Sequence, residues 1–404
     1  MSMKVQPDID FIKDMKEAGG DTLKKCFQCA TCSVVCPLSA DQKPFPRQQM
    51  LYAQWGLKDK LMGDPNVLLC HQCGDCTAYC PRGARPGDAL GAIRAYAYKH
   101  YGWPSFLANL ASSGQNLPIL VGIPAVIIFI MWMISGSHVP AQGLFIDIGY
   151  SQFFGHWDFK LLPKTTFFID FFMIPTAALS VFAAVRGVMA MWKKMTENAG
   201  LGEALCQPSP MQFVKEFLWP SVQEIVRHDR FKKCEANQDR VSGHQPLMWA
   251  FIGLLFVTGY SFFAQDVLGQ VIHSLHGPMS MCNPVKIVAN VAAVALIFGV
   301  GILWRNRSRM KAEGRASSTF YDWFLIWMIM AVGVTGLGAE VLRLLGKPSL
   351  GYLIYYLHLV SVMMLFLYMP YTKFAHLVYR TFAMTFERYR ESAYVKNPKN
   401  PLNS

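Results

Sequence analysis

The sequence carries little charge for its length. Only 16% of its 404 residues are charged, with 38 basic and 26 acidic side chains, whereas 52% are hydrophobic. Soluble domains contain about 25% charged residues, so this composition is typical of a protein that lies partly in a membrane. The net charge of +12 is not accompanied by a basic helix or by an aromatic-basic surface. We therefore expect no nucleic-acid partner.

Several cofactor motifs are also missing. The sequence has neither a Rossmann fingerprint nor a P-loop, so flavin or nicotinamide chemistry is expected on another subunit. The nearest pattern, at Gly333, Gly336 and Gly338, lies inside an apolar stretch, where close helix packing explains it better. No C-x2-C-H motif is present, which excludes covalent attachment of a c-type haem.

Cysteine, by contrast, is abundant and regularly spaced. Eight of the eleven cysteines form two runs of C-x2-C-x2-C-x3-C-P. The first run is Cys26, Cys29, Cys32 and Cys36, and the second is Cys70, Cys73, Cys76 and Cys80. This spacing is typical of ferredoxins with two [4Fe-4S] clusters, in which the fourth cysteine of each run binds the other cluster. The sequence thus predicts one cluster on Cys26, Cys29, Cys32 and Cys80, and a second on Cys70, Cys73, Cys76 and Cys36.

A pair of zinc sites is the main alternative, because two C-x2-C pairs can form a tetrahedral four-cysteine site. Zinc requires neither the third cysteine of each run nor the proline after the fourth. Disulfides are less favoured still, because no signal peptide precedes the first run and we expect reduced thiols. The remaining Cys206, Cys234 and Cys282 lack ligand spacing and are interpreted as packing or incidental thiols.

The chain is predicted to be all-α, with a helical iron–sulphur domain at 1–116 and a membrane domain at 117–378. A loop at 193–245 interrupts the membrane domain, and a tail follows at 379–404. Six apolar windows are long enough to cross about 30 Å of hydrocarbon as helices. These windows are 117–135, 166–192, 246–266, 284–304, 320–342 and 351–372.

The positions of lysine and arginine predict the orientation of these windows. The segments 193–245, 305–319 and 373–404 carry nineteen Lys and Arg residues, and the opposite loops carry four or five. Positive residues concentrate on the cytoplasmic side of a membrane. We therefore expect a multi-pass protein of the cytoplasmic membrane with both termini and the iron–sulphur domain in the cytoplasm.

Two histidines in the last window carry the second chemical signal. His358 lies inside the window and His376 lies at its cytoplasmic end. Their separation of 18 residues equals five helical turns, so we expect both imidazoles to project from one face of a single helix, about 27 Å apart. That arrangement is typical of two stacked b-type haems, each with one axial ligand from this helix. Interfacial histidines bonded to loops are the alternative, although an ionisable residue inside a span is usually functional.

Each haem needs a second axial ligand to transfer electrons without binding another molecule. His244 begins the third window on the side of His376, and we pair those two. The candidate partners of His358 are His273, His276 and His156. We favour His273 or His276 because residues 266–275 can extend the third helix.

The other histidines have weaker signals. Taken singly, His138, His156, His228 and His273 fit interfacial histidines bonded to loops better than ligands. His71 lies between two cluster ligands, where we expect it only to tune the cluster or to pack against it.

Short motifs add a family resemblance that covers nearly the whole chain. The segment 25–32 and Cys70–His71–Gln72–Cys73 resemble the HdrC subunit of heterodisulfide reductases. The motifs at 283–286 and 370–376 are similar to the cytochrome b subunit HdrE, and the 18-residue histidine spacing resembles nitrate-reductase-type cytochromes b. A fusion of the two parts resembles the QmoC family, the membrane subunits of quinone-interacting oxidoreductases of sulphate-reducing and some sulphur-oxidising prokaryotes.

The resemblance implies a membrane electron-transfer subunit that works between menaquinone or menaquinol and cytoplasmic partners. The implied partners are HdrA-like flavin and iron–sulphur subunits of QmoA and QmoB type, with adenylylsulphate reductase as the soluble redox partner. The implied cofactors are two [4Fe-4S] clusters, two haems b and menaquinone from the membrane quinone pool. A quinol site must also move protons, and the candidate membrane carboxylates are Asp170, Asp266 and Glu340.

Two alternatives stay open at this point. One belongs to a heterodisulfide- or sulphite-pathway reductase complex, although the noncubane CCG-type cysteine motif typical of the disulfide partner is absent from this chain. The other is a membrane anchor and docking scaffold whose clusters are structural and whose histidines are incidental. Haem content distinguishes the second alternative from electron transfer.

Overall fold

The computed structural model describes residues 6–134, 167–201, 208–232, 238–268, 272, 279–317 and 319–392. Within these ranges the chain forms helices and no named strand, and an isolated bridge joins Ala40 to Lys43. The predicted all-α class is therefore confirmed. Asp266 belongs to a π-helix, but its side chain, like all of His156, His273 and His276, lies outside what the structure describes.

The first part of the chain is a set of short helices around the cysteine runs. Their bounds are α1 Ile9–Met15, α2 Thr31–Val34, α3 Arg47–Gln54, α4 Lys58–Met62, α5 Pro65–Leu69, α6 Asp75–Ala78, α7 Pro86–Tyr101 and α8 Ser105–Leu110. Local sequence explains several of their starts. Asp8 caps α1 by accepting a hydrogen bond from the Phe11 amide, and Asp64 caps α5, whose first residue is Pro65.

Six later helices are long and apolar enough to cross a membrane, as the sequence predicted. Their membrane segments are Gly114–Met133, Ile169–Ala199, Arg240–Ala264, Pro284–Ala312, Phe320–Leu344 and Leu350–Tyr371. The helices themselves are α9 Leu117–Ile134, α10 Phe167–Ala199, α14 Gln238–Ser261, α15 Pro284–Ala312, α16 Phe320–Leu344 and α17 Pro348–Tyr368. Pro124, Pro175 and Pro246 lie inside three of them, which membrane helices tolerate because neighbouring groups satisfy the freed carbonyls.

Between the second and third spans lie α11 Pro210–Phe213, α12 Trp219–Arg227 and α13 Asp229–Lys232. A π-helical stretch, Val214–Leu218, joins α11 to α12. A second π-helix, Phe262–Val267, follows α14. These elements place part of the predicted loop 193–245 in helical structure.

The prediction that one unbroken helix carries both His358 and His376 is wrong. Helix α17 ends at Tyr368, and two short 3₁₀ turns follow before α18 begins, His376–Arg390. Pro370 cannot donate a backbone hydrogen bond, and Thr372 adopts an extended conformation with φ −108° and ψ −178°. The two histidines therefore lie on two helices, and the 27 Å expected of one straight helix does not apply.

A continuous core joins the iron–sulphur domain to the membrane helices. It contains Met50, Leu69 and Ile93 of the first domain together with Met191 of α10 and Phe386 of α18. Part of the predicted tail, 379–404, is thus a helix that packs into this core. The cluster-binding loops are consequently held at a fixed place beside the ends of the membrane helices.

Candidate functional site

The structure groups the eight cysteines into two sets that cross between the runs. One cavity is lined by Cys26, Cys29, Cys32 and Cys80, and a second by Cys36, Cys70, Cys73 and Cys76. These are the two sets that the ferredoxin spacing predicts. Within the described residues, no three His, Cys, Asp or Glu side chains form a group that could hold a single metal ion.

The two cysteine loops share one backbone conformation. Gln28 and Gln72, each between the first and second cysteine of its run, have φ of 60° and 55°. Ala30 and Gly74, each after the second cysteine, have φ of 69° and 88°. Left-handed conformations are costly for residues other than glycine and concentrate at functional sites. Because both runs adopt these conformations at equivalent positions, we interpret the two loops as copies of one cluster-binding loop.

The cysteine sulphurs and backbone amides of the two loops fit iron–sulphur clusters. Backbone amides of Gln72 and Ala84 donate hydrogen bonds to the sulphurs of Cys70 and Cys80, each over 3.4 Å. Burial raises the pKa of the Cys32 thiol to about 11 and that of Cys73 to about 12. A metal binds the thiolate, so iron binding at these positions must release protons.

The loop of the second cysteine set contacts the membrane helix α14 and the helix α18 that follows the last span through two arginines. Arg240 of α14 donates hydrogen bonds to the carbonyl oxygens of His71 and Gln72, over 2.7 and 2.8 Å. Arg380 of α18 donates to Nδ1 of His71 over 2.9 Å. Burial and the nearby guanidinium of Arg380 hold the pKa of His71 at about 3, so its ring is neutral.

Two of the predicted haem ligands come together next to this loop. The ring centroids of His244 and His376 are 6.0 Å apart, with planes at 71°. His244 is four residues after Arg240, and His376 is four residues before Arg380. Each inner histidine is thus one helical turn from an arginine that binds the His71 loop.

The spacing of these rings fits a shared iron. Two imidazoles that bind one metal ion, each through a bond of about 2.0–2.1 Å, would have to lie this close together. Nδ1 of His376 lies 2.7 Å from the carbonyl oxygen of Lys373 and must donate its hydrogen to it. The lone pair of His376 is therefore on Nε2, which leaves that nitrogen free to bind a metal.

The remaining predicted haem ligand, His358, faces helix α16. Its Nδ1 lies 3.1 Å from the hydroxyl oxygen of Thr335. Gly336 lies against the imidazole ring, and a Cβ atom at that position would approach Cε1 of His358 to 3.0 Å. The favoured second ligands, His273 and His276, and the weaker candidate His156 lie outside the described residues.

The three candidate carboxylates have different surroundings. Glu340 lies in an ion pair with Lys286 over 2.8 Å and accepts a hydrogen bond from Asn290 over 3.2 Å. Its side chain is 12% exposed, so this pair is largely shielded within the membrane part. Asp170 lies in the first turn of α10. The side chain of Asp266 is outside the described residues.

A buried ion cluster supports the junction between the two parts of the protein. The carboxylate of Asp322 contacts the side chains of Arg307 and Lys373. Lys373 also donates to the side chain of Gln72 over 3.2 Å. Burial lowers the pKa of Lys373 to about 8, although the Asp322 carboxylate acts in the opposite direction. The cluster therefore connects α15, α16 and the turn before His376 with the loop of the second cysteine set.

Sequence reasoning missed several of these residues. Arg240 and Arg380 were counted only as charges that set orientation, Lys373 was also part of the motif at 370–376, and Asn290 was not considered. Lys286 belongs to the segment 283–286, which carries the family resemblance, so the sequence did indicate this residue. His228, interpreted as interfacial, is buried and contacts His244.

Fold and site together define a multi-pass membrane protein with an N-terminal 4Fe-4S dicluster domain, for which the family model matches residues 22–84. The chain belongs to the citrate utilization protein B family, whose model matches residues 176–395. It is 26% identical to citrate utilization protein B of Escherichia coli over 308 residues, 72% of each chain.

The iron–sulphur part has further relatives among heterodisulfide reductases. The chain is 43% identical over 61 residues to the HdrC subunit of the H(2):CoB-CoM heterodisulfide,ferredoxin reductase of Methanothermobacter marburgensis, and 44% identical over 59 residues to that of Methanothermobacter thermautotrophicus. These matches cover 15% and 14% of this chain, and 32% and 31% of the relatives. The chain therefore spans about a third of the length of these two relatives. No solved structure matches the chain.

Proposed function

We propose that this chain is a membrane electron-transfer subunit that connects the menaquinone pool with a redox partner on the cytoplasmic face. The observation that carries the proposal is the contact of His71 with Arg240 and Arg380. Through this contact the second cysteine set lies next to His244 and His376, with no domain between them. A purely structural anchor does not require that the loop between two cluster ligands contact the helices of two neighbouring histidines.

The residues that hold the electron carriers follow from the site. In this proposal Cys26, Cys29, Cys32 and Cys80 bind the outlying [4Fe-4S] cluster, and Cys36, Cys70, Cys73 and Cys76 bind the cluster next to the membrane. His244 and His376 bind the inner haem b, and His358 binds the outer haem b with His273 or His276. When bound, these groups supply one-electron redox centres.

Glu340 is the best supported of the three candidate quinone-site acids. It is one helical turn beyond Gly336, which packs against His358, so it lies about 6 Å further along the same helix. Its ion pair with Lys286 keeps a carboxylate within the membrane part, where it can accept a proton that a quinol releases. Asn290 orients the second oxygen of this carboxylate.

The proposed topology places the iron–sulphur domain, the loop 193–245 and both termini in the cytoplasm, at the inner membrane. There the outlying cluster can meet HdrA-like flavin and iron–sulphur subunits of QmoA and QmoB type, with adenylylsulphate reductase as their soluble partner. The likeness to the HdrC subunits of heterodisulfide reductases supports partners of that kind.

The test is optical and EPR spectroscopy of the purified chain during titration with a menaquinol analogue. We expect a reduced b-type α-band together with two [4Fe-4S] signals, and exchange of electrons between them. Any of three results would overturn the proposal. The first is a sample without a b-type α-band, and the second is zinc in the cysteine sites. The third is haem that is reduced while neither cluster ever responds.

The family match favours a second candidate for the partner. The Escherichia coli relative is named for citrate utilization and aligns with 72% of this chain. On that basis the outlying cluster would exchange electrons with an oxidoreductase that acts in citrate utilization, instead of adenylylsulphate reductase. The membrane part of the proposal is unchanged. Cluster reduction or oxidation by each purified partner distinguishes the two.

A further inference from the structure

His228 occupies an unusual backbone position at the end of helix α12. It is 2% exposed, and its φ of 57° and ψ of 31° are in the left-handed region. Glycine is the usual residue at this position after a helix, because a side chain there costs about 1 kcal/mol. A buried imidazole at a strained position suggests that the ring itself has a role.

The hydrogen bonds of His228 define which of its nitrogens carries the proton. Nδ1 of His228 lies 3.2 Å from the carbonyl oxygen of Val226. A carbonyl oxygen can only accept a hydrogen bond, so Nδ1 is the donor. In the neutral ring, Nε2 of His228 must then be an acceptor.

This assignment determines the tautomer of the neighbouring His244. Nε2 of His228 and Nδ1 of His244 are 2.8 Å apart, within hydrogen-bonding distance. Because Nε2 of His228 accepts, Nδ1 of His244 carries the hydrogen that it donates. The lone pair of His244 is therefore on Nε2, as it is in His376, whose Nδ1 donates to the Lys373 carbonyl oxygen.

We propose that His228 is a positioning residue, which holds the His244 ring in the orientation and tautomer that let Nε2 bind the iron of the inner haem. This inference rests on the haem assignment in the proposed function and adds a residue to it. Metal-bound histidines commonly donate their second nitrogen to such a partner, which fixes the ring and makes the ligating nitrogen more basic. For His376 the partner is the backbone carbonyl oxygen of Lys373, and for His244 it is the side chain of His228.

Two replacements separate the hydrogen bond from the backbone strain. His228→Ala removes the ring, whereas His228→Gln keeps a side-chain oxygen near the place of Nε2 and can still accept from His244. Alanine and glutamine both occupy left-handed positions elsewhere in this chain, at Ala30 and Gln72, so the two variants carry a similar backbone cost. His100→Gln, at an exposed histidine of the iron–sulphur domain, is the control for loss of an imidazole away from this site.

The measurements are haem content, EPR spectra and redox titration of the purified variants, with the inner haem assigned as the signal lost in His376→Ala. We expect His228→Ala to weaken haem binding at this site by about 10–100-fold, which is typical for such partners. Any inner haem that stays bound should titrate at a higher potential, because its ligand is less basic. His228→Gln and His100→Gln should resemble the wild type.

Three outcomes test the proposed function and the role of His228 separately. If the wild type binds no haem at all, the proposed function fails. If the wild type binds two haems and His228→Ala leaves the content, EPR signature and potential of the inner haem unchanged, the role of His228 is refuted and the proposed function stands. If His228→Ala and His228→Gln lose the haem equally while the cluster signals stay normal, His228 only fills space.

Discussion

Arg380 donates a hydrogen bond from Nη2 to Nδ1 of His71, 2.9 Å away, and thereby joins the loop between two cluster ligands to the helix that begins at His376. Arg240 binds the carbonyl oxygen of the same histidine from the helix of His244. Both arginines are half-buried at the junction, and their hydrogen bonds hold the loop next to the paired imidazoles. In the proposed function, the geometry of electron exchange between the two parts depends on these two side chains.

We predict that Arg380→Gln slows electron exchange between haem and clusters. The variant loses a charge-assisted hydrogen bond to a buried ring, which costs about 1–3 kcal/mol and loosens the loop. Exchange after rapid mixing with a quinol analogue should slow by about tenfold, the equivalent of 1.4 kcal/mol. Stopped-flow absorbance at the haem band, combined with freeze-quench EPR of the clusters, gives the rate.

Arg309→Gln is the matched control, because Arg309 is an arginine of α15 whose side chain is 54% exposed. It should exchange electrons at the wild-type rate. Equal rates in Arg380→Gln and the wild type would show that the His71 contact has no part in the exchange.

The crossed cysteine sets give a second prediction. Cys36→Ala and Cys73→Ala should remove the same cluster, although the two residues belong to different runs. Cys80→Ala should instead remove the cluster of the first run. Each variant should lose about half of the non-haem iron, because one of two four-iron clusters fails to form.

The check is iron and sulphide analysis together with EPR at low temperature, with Cys282→Ala as the control at an exposed free thiol. Loss of the same EPR signal in Cys80→Ala and Cys73→Ala would contradict the crossed assignment.

The sequence predicted the cysteine sets and the six spans because both signals are local. Ligand spacing is fixed by the geometry of a metal centre, and a span needs about 20 apolar residues in succession. Neither requires knowledge of which distant segments meet. The pairing of His244 with His376 also followed from local information, because charge distribution placed both at the same depth.

The contacts around His71 could not be predicted in this way. Arg240 is separated from His71 by 169 positions and Arg380 by 309, and surface arginines look the same in a sequence as buried ones. The end of α17 had a local signal in Pro370, but proline is tolerated in membrane helices, so the signal was ambiguous. His228 was missed because its role depends on a left-handed turn and a partner 16 residues away.

A third prediction concerns stability. Asp322 is 4% exposed and contacts both Arg307 and Lys373. Asp322→Asn removes the carboxylate charge that Arg307 and Lys373 share, and breaking a buried pair costs about 3–5 kcal/mol. The free energy of unfolding in mild detergent should fall by that amount, and Glu313→Gln, at an exposed pair, should change it little. Equal stability of both variants would mean that solvent reaches the Asp322 cluster.

A fourth prediction tests the quinone-site acid. Glu340→Gln keeps the shape of the side chain but cannot accept a proton, so menaquinol oxidation should slow by about 10²–10⁴-fold. Haem content and cluster signals should stay at the wild-type level. Asp170→Asn, at another carboxylate of the membrane part, should keep most activity. If Glu340→Gln oxidises menaquinol normally, the Lys286 pair is a structural link between α15 and α16.

A fifth prediction uses two glycines on one helix. An added Cβ at Gly336 would lie 3.0 Å from Cε1 of His358, which is closer than van der Waals contact allows, whereas at Gly338 it would lie 3.4 Å from a methyl group of Ile354. The His358 ring is held by Thr335, so it cannot move away without weakening that hydrogen bond. Gly336→Ala should therefore shift the potential and the EPR signal of the outer haem, and leave those of the inner haem unchanged. Gly338→Ala adds the same methyl group two residues away and should leave both haems as in the wild type. Redox titration of the two variants side by side is the measurement, and identical outer-haem potentials would show that His358 does not bind that haem from this position.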